Sequence, residues 1–313
     1  MPIPIADQEG VHSQSNQLPA TEVVYVAGAF RPAAEAAVSV FDHGLLYGDG
    51  IFEGIRAYNG RIFKLDRHIT RLVDSAKAIR LTLPLPPQAI ADLVVETCRR
   101  NRVVDGYIRL VVTRGAGLLG IDPRSCKEPN VIVIARPVAS FYAASAVTEG
   151  ATLVTSMLRR PAPDALSPQI KSLNYLNNVL ARIEANDDGA DEALLLDAQG
   201  YVAEATADNI FVLTDQGCFT PPTATNLKGI TRETVIELAR DMGVVITESR
   251  FTLVDVWTAR EVWLCGTGAE IIPVRSVDGR TIGHGSVGPF TKRIIDAYHR
   301  LVRATGTEIG QKA

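Results

Sequence analysis

Residues 47–65, "YGDGIFEGIRAYNGRIFKL", decide between two architectures. The opening "YGDGIFEG" comes close to a glycine-rich dinucleotide loop. Such a loop follows a strand, opens a helix, and is answered about 20 residues later by an acidic residue on a second strand. Here two apolar runs follow instead, and they meet at Asn59-Gly60, the dipeptide of a tight hairpin turn. The stretch reads as a hairpin. A second pattern, "GHGSVG" at 283–288, formally fits G-x-G-x-x-G, but the chain ends 25 residues beyond Gly288 and one helix fills that space. It reads as a turn before the last helix.

Working outward, "EVVYVA" (22–27) is a predicted strand and "RPAAEAAVSVFD" a loop. Downstream, "DRHITRLVDSAKAIRL" sets Ile69, Leu72, Val73, Ala76 and Ile79 at helical spacing, with Asp66 as the expected N-cap. A second helix, "PQAIADLVVETCRRNR", precedes the strands "GYIRLVVTRG" and "NVIVIARPV". "VASFYAASAVTEG" is rich in small residues without periodicity and reads as a linker. Beyond it come the strand "ATLVTSML" and the helix "YLNNVLARIEANDDG", which stops near Gly189. "EALLLDAQGYVAEATADNIFVLTDQGCFTPP" reads as strands broken by a turn at Gly200. The helix "TRETVIELARDMG", the strands "VVITES" and "EVWLCG", and the helix "PFTKRIIDAYHRLVRA" complete the chain. Helices and hairpins mix without β-α alternation, so a mixed α+β class is expected and a doubly wound sheet is not. The expected division is a tail (1–22), a small N-terminal domain (23–137), a linker (138–149) and a larger C-terminal domain (150–313).

At 313 residues the chain exceeds most single cores, and its 46% hydrophobic and 21% charged residues are those of a soluble globular protein. A net charge of −3 gives no footprint for nucleic acid. No apolar run reaches membrane-spanning length. The first twenty residues have neither a basic start nor an apolar core, so they read as a loose tail and no signal peptide. Cys98, Cys126, Cys218 and Cys265 form no C-x-x-C pair, which suits a reducing cytoplasm. The five histidines are scattered, and no metal site is expected.

Four features carry chemistry. "QIKSLNYLNNVLARIEA" (169–185) places Lys171 among neutral and apolar neighbours, where it is either a surface lysine or a nucleophile in a dry site. In "LKGITRETVIELARD", Gly229, Ile230 and Thr231 open a helix, whose free N–H groups and dipole favour a phosphate; plain capping by Thr231 is the competing reading. "CGTGAE" (265–270) can form an anion nest or only a tight turn. Glu204 lies between strand-like runs and, if buried, needs a cation. A lysine, a carboxylate and a phosphate-binding helix start suit pyridoxal 5′-phosphate. Other phosphate ligands remain open on these residues alone.

From about Tyr25 to the last helix the chain resembles the fold-type IV (class IV) pyridoxal-phosphate aminotransferases. "YGDGIFEGIRAYNG", "HITRLVDSA", "YIRLVVTRGAGLLGIDP", "IKSLNYLNNVLA", "GYVAEATADNIF", "LKGITRE" and "GTGAEIIPVRSVDG" follow in the family's order. Within the family it is most similar to the branched-chain amino acid aminotransferases. The resemblance implies a two-domain fold with the cofactor at the domain interface. Lys171 is then the Schiff-base lysine, Glu204 the partner of the ring nitrogen and Tyr175 that of the ring hydroxyl. Leu227 packs on the ring, and Arg71, Gly229, Ile230, Thr231 and Thr267 hold the phosphate. Tyr107 and the backbone at Gly268 and Ala269 take the α-carboxylate, and Arg109 the distal carboxylate of glutamate. Tyr47, Phe52, Arg56 and Ile121 complete the substrate pocket, with Ile121 and part of that wall coming from a second subunit of a homodimer or dimer-based hexamer. The activity implied is ping-pong transamination of leucine, isoleucine and valine with 2-oxoglutarate. The Lys171-to-Tyr175 spacing is one residue short of many branched-chain enzymes, and alanines at 205 and 207 replace frequent glycines. D-amino acid or (R)-amine transamination and aminodeoxychorismate lyase activity therefore stand as alternatives, and a non-catalytic phosphate-ligand binder is the reading from another class.

Overall fold

The computed structural model describes residues 22–138 and 140–310. The tail expected at 1–22 therefore lies outside the described residues except for Glu22.

The Asn59-Gly60 hairpin organises the first sheet. Strand Gly50–Tyr58 turns at Asn59 and Gly60, both left-handed (φ 50° and 71°), into the short strand Arg61–Ile62. Positive φ at both central residues gives the twist that a two-residue hairpin needs. Among the described residues seven strands form this sheet, in the order Thr307–Glu308, Arg61–Ile62, Gly50–Tyr58, Gly106–Thr113, Asn130–Arg136, Val23–Val26, Ala29–Pro32. All neighbours are antiparallel. Helices Leu65–Ala78 and Pro87–Arg100 pack on it, burying Leu72, Ile90 and Val94 against Ile51, Ile55, Ile108 and Val133. All of strand Gly50–Tyr58 is buried, because its other face turns toward the rest of the chain.

The second sheet has nine strands among the described residues and mixed pairing. Its path runs Ile246–Glu248, Gly217–Thr220, Asn209–Thr214, Glu261–Gly266, Glu270–Val277, Ala151–Arg159, Glu192–Leu196, Val202–Ala205, and the ninth strand, Arg280–Thr281, pairs with Glu270–Val277 off that path. Both faces are covered, which is why its strands read as continuous apolar runs. Ile210 and Val212 point into one core; Phe211 points into the other and stacks on Trp263 at 5.4 Å. Helices Ile230–Asp241 and Pro289–Ala304 close the Phe211 side.

Several expectations are corrected. Asp66 does not cap its helix: the cap position is Lys64 in the left-handed region, and Asp66 sits within the first turn. The hairpin's return strand runs straight into the helix, leaving no room for a capping residue at 66. Half of the expected linker is helix, Ala144–Glu149, whose Ala146 is buried in the second sheet's core. Alanine is the best helix former, and a helix of one and a half turns is too short to show periodicity. Glu270–Val277 is a further strand, and it carries Pro273, a residue that normally argues against an inner strand. Its parallel neighbour begins pairing only at Val274 opposite Ala151, so one flank is free of a ladder at Pro273. Finally, the chain end returns to the first sheet, where Thr307–Glu308 pairs with Arg61–Ile62.

Candidate active site

Between the sheets lies a cavity of about 490 Å³, the size of a small-molecule site. Lys171 reaches it from the loop before helix Leu176–Asp187. That loop is fixed to the first sheet: Phe52 N–H donates to Lys171 O (2.9 Å) and Leu173 N–H to Gly50 O (3.0 Å). The start of strand Gly50–Tyr58 has a free flank, and Ser172 fills it opposite Ile51. The lysine is half-buried, with Nζ 3.2 Å from the Tyr175 hydroxyl and 4.6 Å from the Phe52 ring centre. It is no surface lysine.

Glu204 projects from strand Val202–Ala205 and is buried. The cation its burial demands is Arg160, 2.8 Å from Oε1, while Leu227 N–H donates to Oε2 at 3.1 Å. Burial raises its pKa, against the lowering pull of Arg160, the Leu227 N–H and Lys171. Sequence reasoning required such a partner but did not identify Arg160, the second arginine of "LRRPAP" at the end of a strand. Arg160 is itself oriented by Asn178 Oδ1 at 2.9 Å.

At the other end, Gly229 is the N-cap of helix Ile230–Asp241 and no side chain caps the first turn. Thr231 sits one residue inside the helix, so it is not the cap. A side chain at 229 would place Cβ 2.0 Å from Asn209 Oδ1, so the helix start approaches its neighbour as only glycine allows. Arg71 lies beside it, its guanidinium forked onto Glu53 (2.8 and 2.7 Å) and donating to Lys228 O (2.8 Å). Burial pushes the Glu53 carboxyl up, but Arg71 and then His68 more than reverse this and hold it at about 2. Thr267 also lines the cavity.

Tyr107 and Arg109 stand two apart on strand Gly106–Thr113 and so share a face. The Arg109 guanidinium lies 4.6 Å from the Phe52 ring centre. A side chain at Gly54 would meet the Tyr107 hydroxyl at 2.1 Å. Gly268 and Ala269 form the turn between strands Glu261–Gly266 and Glu270–Val277. The cavity thus gathers Lys171, Tyr175, Glu204, Arg71, Leu227, Gly229, Ile230, Thr231, Thr267, Phe52, Tyr107, Arg109, Gly268 and Ala269.

Three expected residues do not line it. Arg56 is buried behind it, paired with Glu270 at 3.2 Å and stacked over Tyr58. Tyr47 donates from its hydroxyl to Leu119 O, and Ile121 is 81% exposed on an outer loop. Residues missed in the sequence are Phe141, edge-on to Tyr107 at 4.8 Å, and the polar group Tyr142, Glu192 and Asp208. The first two lie in the expected linker, where no periodic signal marks them.

Residues 50–277 match the family described as amino-transferase class IV. A Methanocaldococcus jannaschii protein, provisionally named a branched-chain-amino-acid aminotransferase, is 47% identical over 91% of this chain and 98% of its own length. The Escherichia coli K12 branched-chain-amino-acid aminotransferase is 36% identical over 85% of this chain and 88% of its own. Among solved structures, the Thermoproteus uzoniensis branched-chain aminotransferase with norvaline aligns with a TM-score of 0.85 at 36% identity, covering 90% of this chain and 95% of that one. The Escherichia coli branched-chain amino acid aminotransferase structure aligns with a TM-score of 0.88 at 33% identity, covering 92% and 97%.

Proposed function

The chain belongs to the class IV aminotransferases, and from that premise we propose that it moves the amino group of branched-chain L-amino acids to 2-oxoglutarate. The observation that carries the reading is Lys171 Nζ, held against Tyr175 in the same cavity as the buried, Arg160-paired Glu204.

Class IV aminotransferases use pyridoxal 5′-phosphate, which supplies an aldehyde for amines and a protonated ring that draws electrons from the α-carbon. The residues present fit that group. Lys171 would be the amine that holds it, and its Nζ would be the base that moves the substrate's α-proton. Glu204 pairs with the ring nitrogen; burial disfavours its anion, so another cation beside it is welcome. Tyr175 supports the ring hydroxyl, and Leu227 packs on the ring. Arg71, Thr267 and the uncapped helix start at Gly229, Ile230 and Thr231 hold the phosphate.

Tyr107 and the Gly268 and Ala269 amides orient the α-carboxylate. Phe52 and Phe141 give the side chain an apolar wall, and Arg109 receives the distal carboxylate of glutamate. A branched aliphatic donor and a dicarboxylate acceptor are thereby served in turn by one pocket. A second copy of the chain covers the short helix His43–Tyr47 and the loop bearing Ile121. Four free cysteines, three of them buried, suit a cytoplasmic setting.

The test is 2-oxo acid release from L-leucine, L-valine, D-alanine and (R)-1-phenylethylamine, with 2-oxoglutarate as acceptor. Release is expected from the two L-amino acids and none from the Lys171→Ala variant. Activity on D-alanine without L-leucine would overturn the substrate assignment.

A further inference from the structure

Tyr142, Asp208 and Glu192 also line the cavity, and none of them has a role assigned above. The Tyr142 hydroxyl lies 2.7 Å from Asp208 Oδ2 and 3.0 Å from Glu192 Oε2. Both carboxyls are buried, 5% and 3% exposed. One hydroxyl carries one hydrogen, so it can serve only one of two anions at a time. Glu192 is richly supplied with donors: Oε1 accepts from Thr206 Oγ1 and Ala193 N–H at 2.7 Å each, and Oε2 accepts from Arg182 at 3.2 Å. Among the described residues the Asp208 carboxyl is paired with Tyr142 alone. The arrangement is complete only if Asp208 keeps its proton and donates to Tyr142, which donates to Glu192.

Tyr142 also sits next to Phe141, whose ring meets Tyr107 edge-on and would touch any side chain placed at Gly268. We propose that the Asp208–Tyr142–Glu192 relay is a positioning device that seats Phe141 against the α-carboxylate end of the pocket and loosens when Asp208 ionises. It rests on the reading of that pocket given above.

The groups facing Asp208 agree with this. Burial, then the Glu192 charge, raises its carboxyl to about 7, with Glu204 adding to the rise and Tyr142 and Lys171 opposing it. Cys265, on the adjoining strand, is a buried thiol pushed up by burial and by Asp208, and so adds no charge. Arg182 reaches Glu192 from helix Leu176–Asp187 and anchors that end of the relay. As pH rises through about 7, Asp208 loses the proton it gives Tyr142, and two carboxyls then compete for one hydroxyl hydrogen. Tyr142 then keeps a single bond, and the segment holding Phe141 is less firmly placed.

The test uses the purified enzyme, Tyr142→Phe and Asp208→Asn. Asparagine can donate to Tyr142 as the protonated acid does, yet cannot ionise. For the wild type, KM for the amino donor is expected to rise about three- to tenfold between pH 6 and 8, the loss of one hydrogen bond. Asp208→Asn should keep the low KM across that range. Tyr142→Phe should show the high KM throughout, with kcat falling less than KM rises. Independently of turnover, amide exchange across residues 140–150 of the cofactor-free protein, corrected for intrinsic rate, should be faster in Tyr142→Phe. Tyr142→Phe matching the wild type in both exchange and KM profile would overturn the relay. If no amino donor reacts but the exchange difference persists, the pocket's substrate reading fails and the clamp on this segment stands.

Discussion

Glu53 shows how one buried carboxylate supports the site without entering it. It accepts the fork of Arg71 and the Nδ1–H of His68 at 2.7 Å, and is itself fully buried. Burial above all lowers the His68 pKa, so the imidazole meets Glu53 as a neutral donor. Because the Glu53 carboxyl is held at about 2 against an ordinary 4.5, the folded state binds its proton less readily than the unfolded chain. Its stabilisation is therefore complete above pH 4.5 and disappears as pH falls toward 2. Glu53→Gln leaves Arg71 buried without its counter-charge and is expected to cost about 3 kcal/mol in urea unfolding at pH 7. The same variant should lose the part of the acid-destabilisation slope that Glu53 gives the wild type. An unchanged slope would show that the pair contributes nothing. Glu53 was invisible in the sequence because its partners lie 15 and 18 residues away on a helix. Glu204 was half visible: burial implied a cation, yet nothing local pointed to Arg160.

Elements carry the site by how their ends meet. The start of helix Ile230–Asp241 depends on Gly229, since a Cβ there would strike Asn209 Oδ1 at 2.0 Å. Asn209 Nδ2 donates to Leu227 O at 3.0 Å, so the clash would reach the segment whose N–H holds Glu204. Gly229→Ala is expected to weaken cofactor retention about tenfold or more, an overpacking cost of about 1–3 kcal/mol. Equilibrium dialysis against graded cofactor, followed by visible absorbance, measures it. Retention equal to wild type would mean that Asn209 yields without consequence. This level was the most legible in sequence: the Asn59-Gly60 hairpin and the long amphipathic helices stand where their periodicity puts them. What escaped were elements whose signal is non-local. Pro273 is tolerated in an inner strand only because its parallel neighbour starts late, and Ala144–Glu149 is helical because a sheet lies beneath it. The placement of Arg56 escaped for the same reason, since its partner Glu270 belongs to the other sheet.

At the scale of the molecule, the loops left outside the cavity form a surface of their own. Gly117 N–H donates to Phe41 O at 3.1 Å, and Tyr47 donates to Leu119 O. Segment 40–47, which includes the short helix His43–Tyr47, and loop 117–121 are thereby tied together, and they expose Val40, Phe41, Leu45, Leu118, Leu119 and Ile121 side by side. Contiguous apolar surface of this kind costs free energy in water and marks an interface. A symmetric pair of copies buries the same patch on each, and a patch that covers itself closes without leaving further apolar surface. In the proposed dimer these loops also supply the pocket wall that one chain lacks, linking assembly to substrate binding. Ile121→Asp puts a charge in the centre of the patch and touches no residue of its own chain's cavity. Sedimentation equilibrium should find dimers or larger even-numbered assemblies for the wild type and a shift toward monomer for the variant. The variant's KM for L-leucine should rise at least fivefold, about 1 kcal/mol for one misplaced apolar wall. A variant that stays assembled with the wild-type KM would place the partner on another face and leave the pocket complete within one chain.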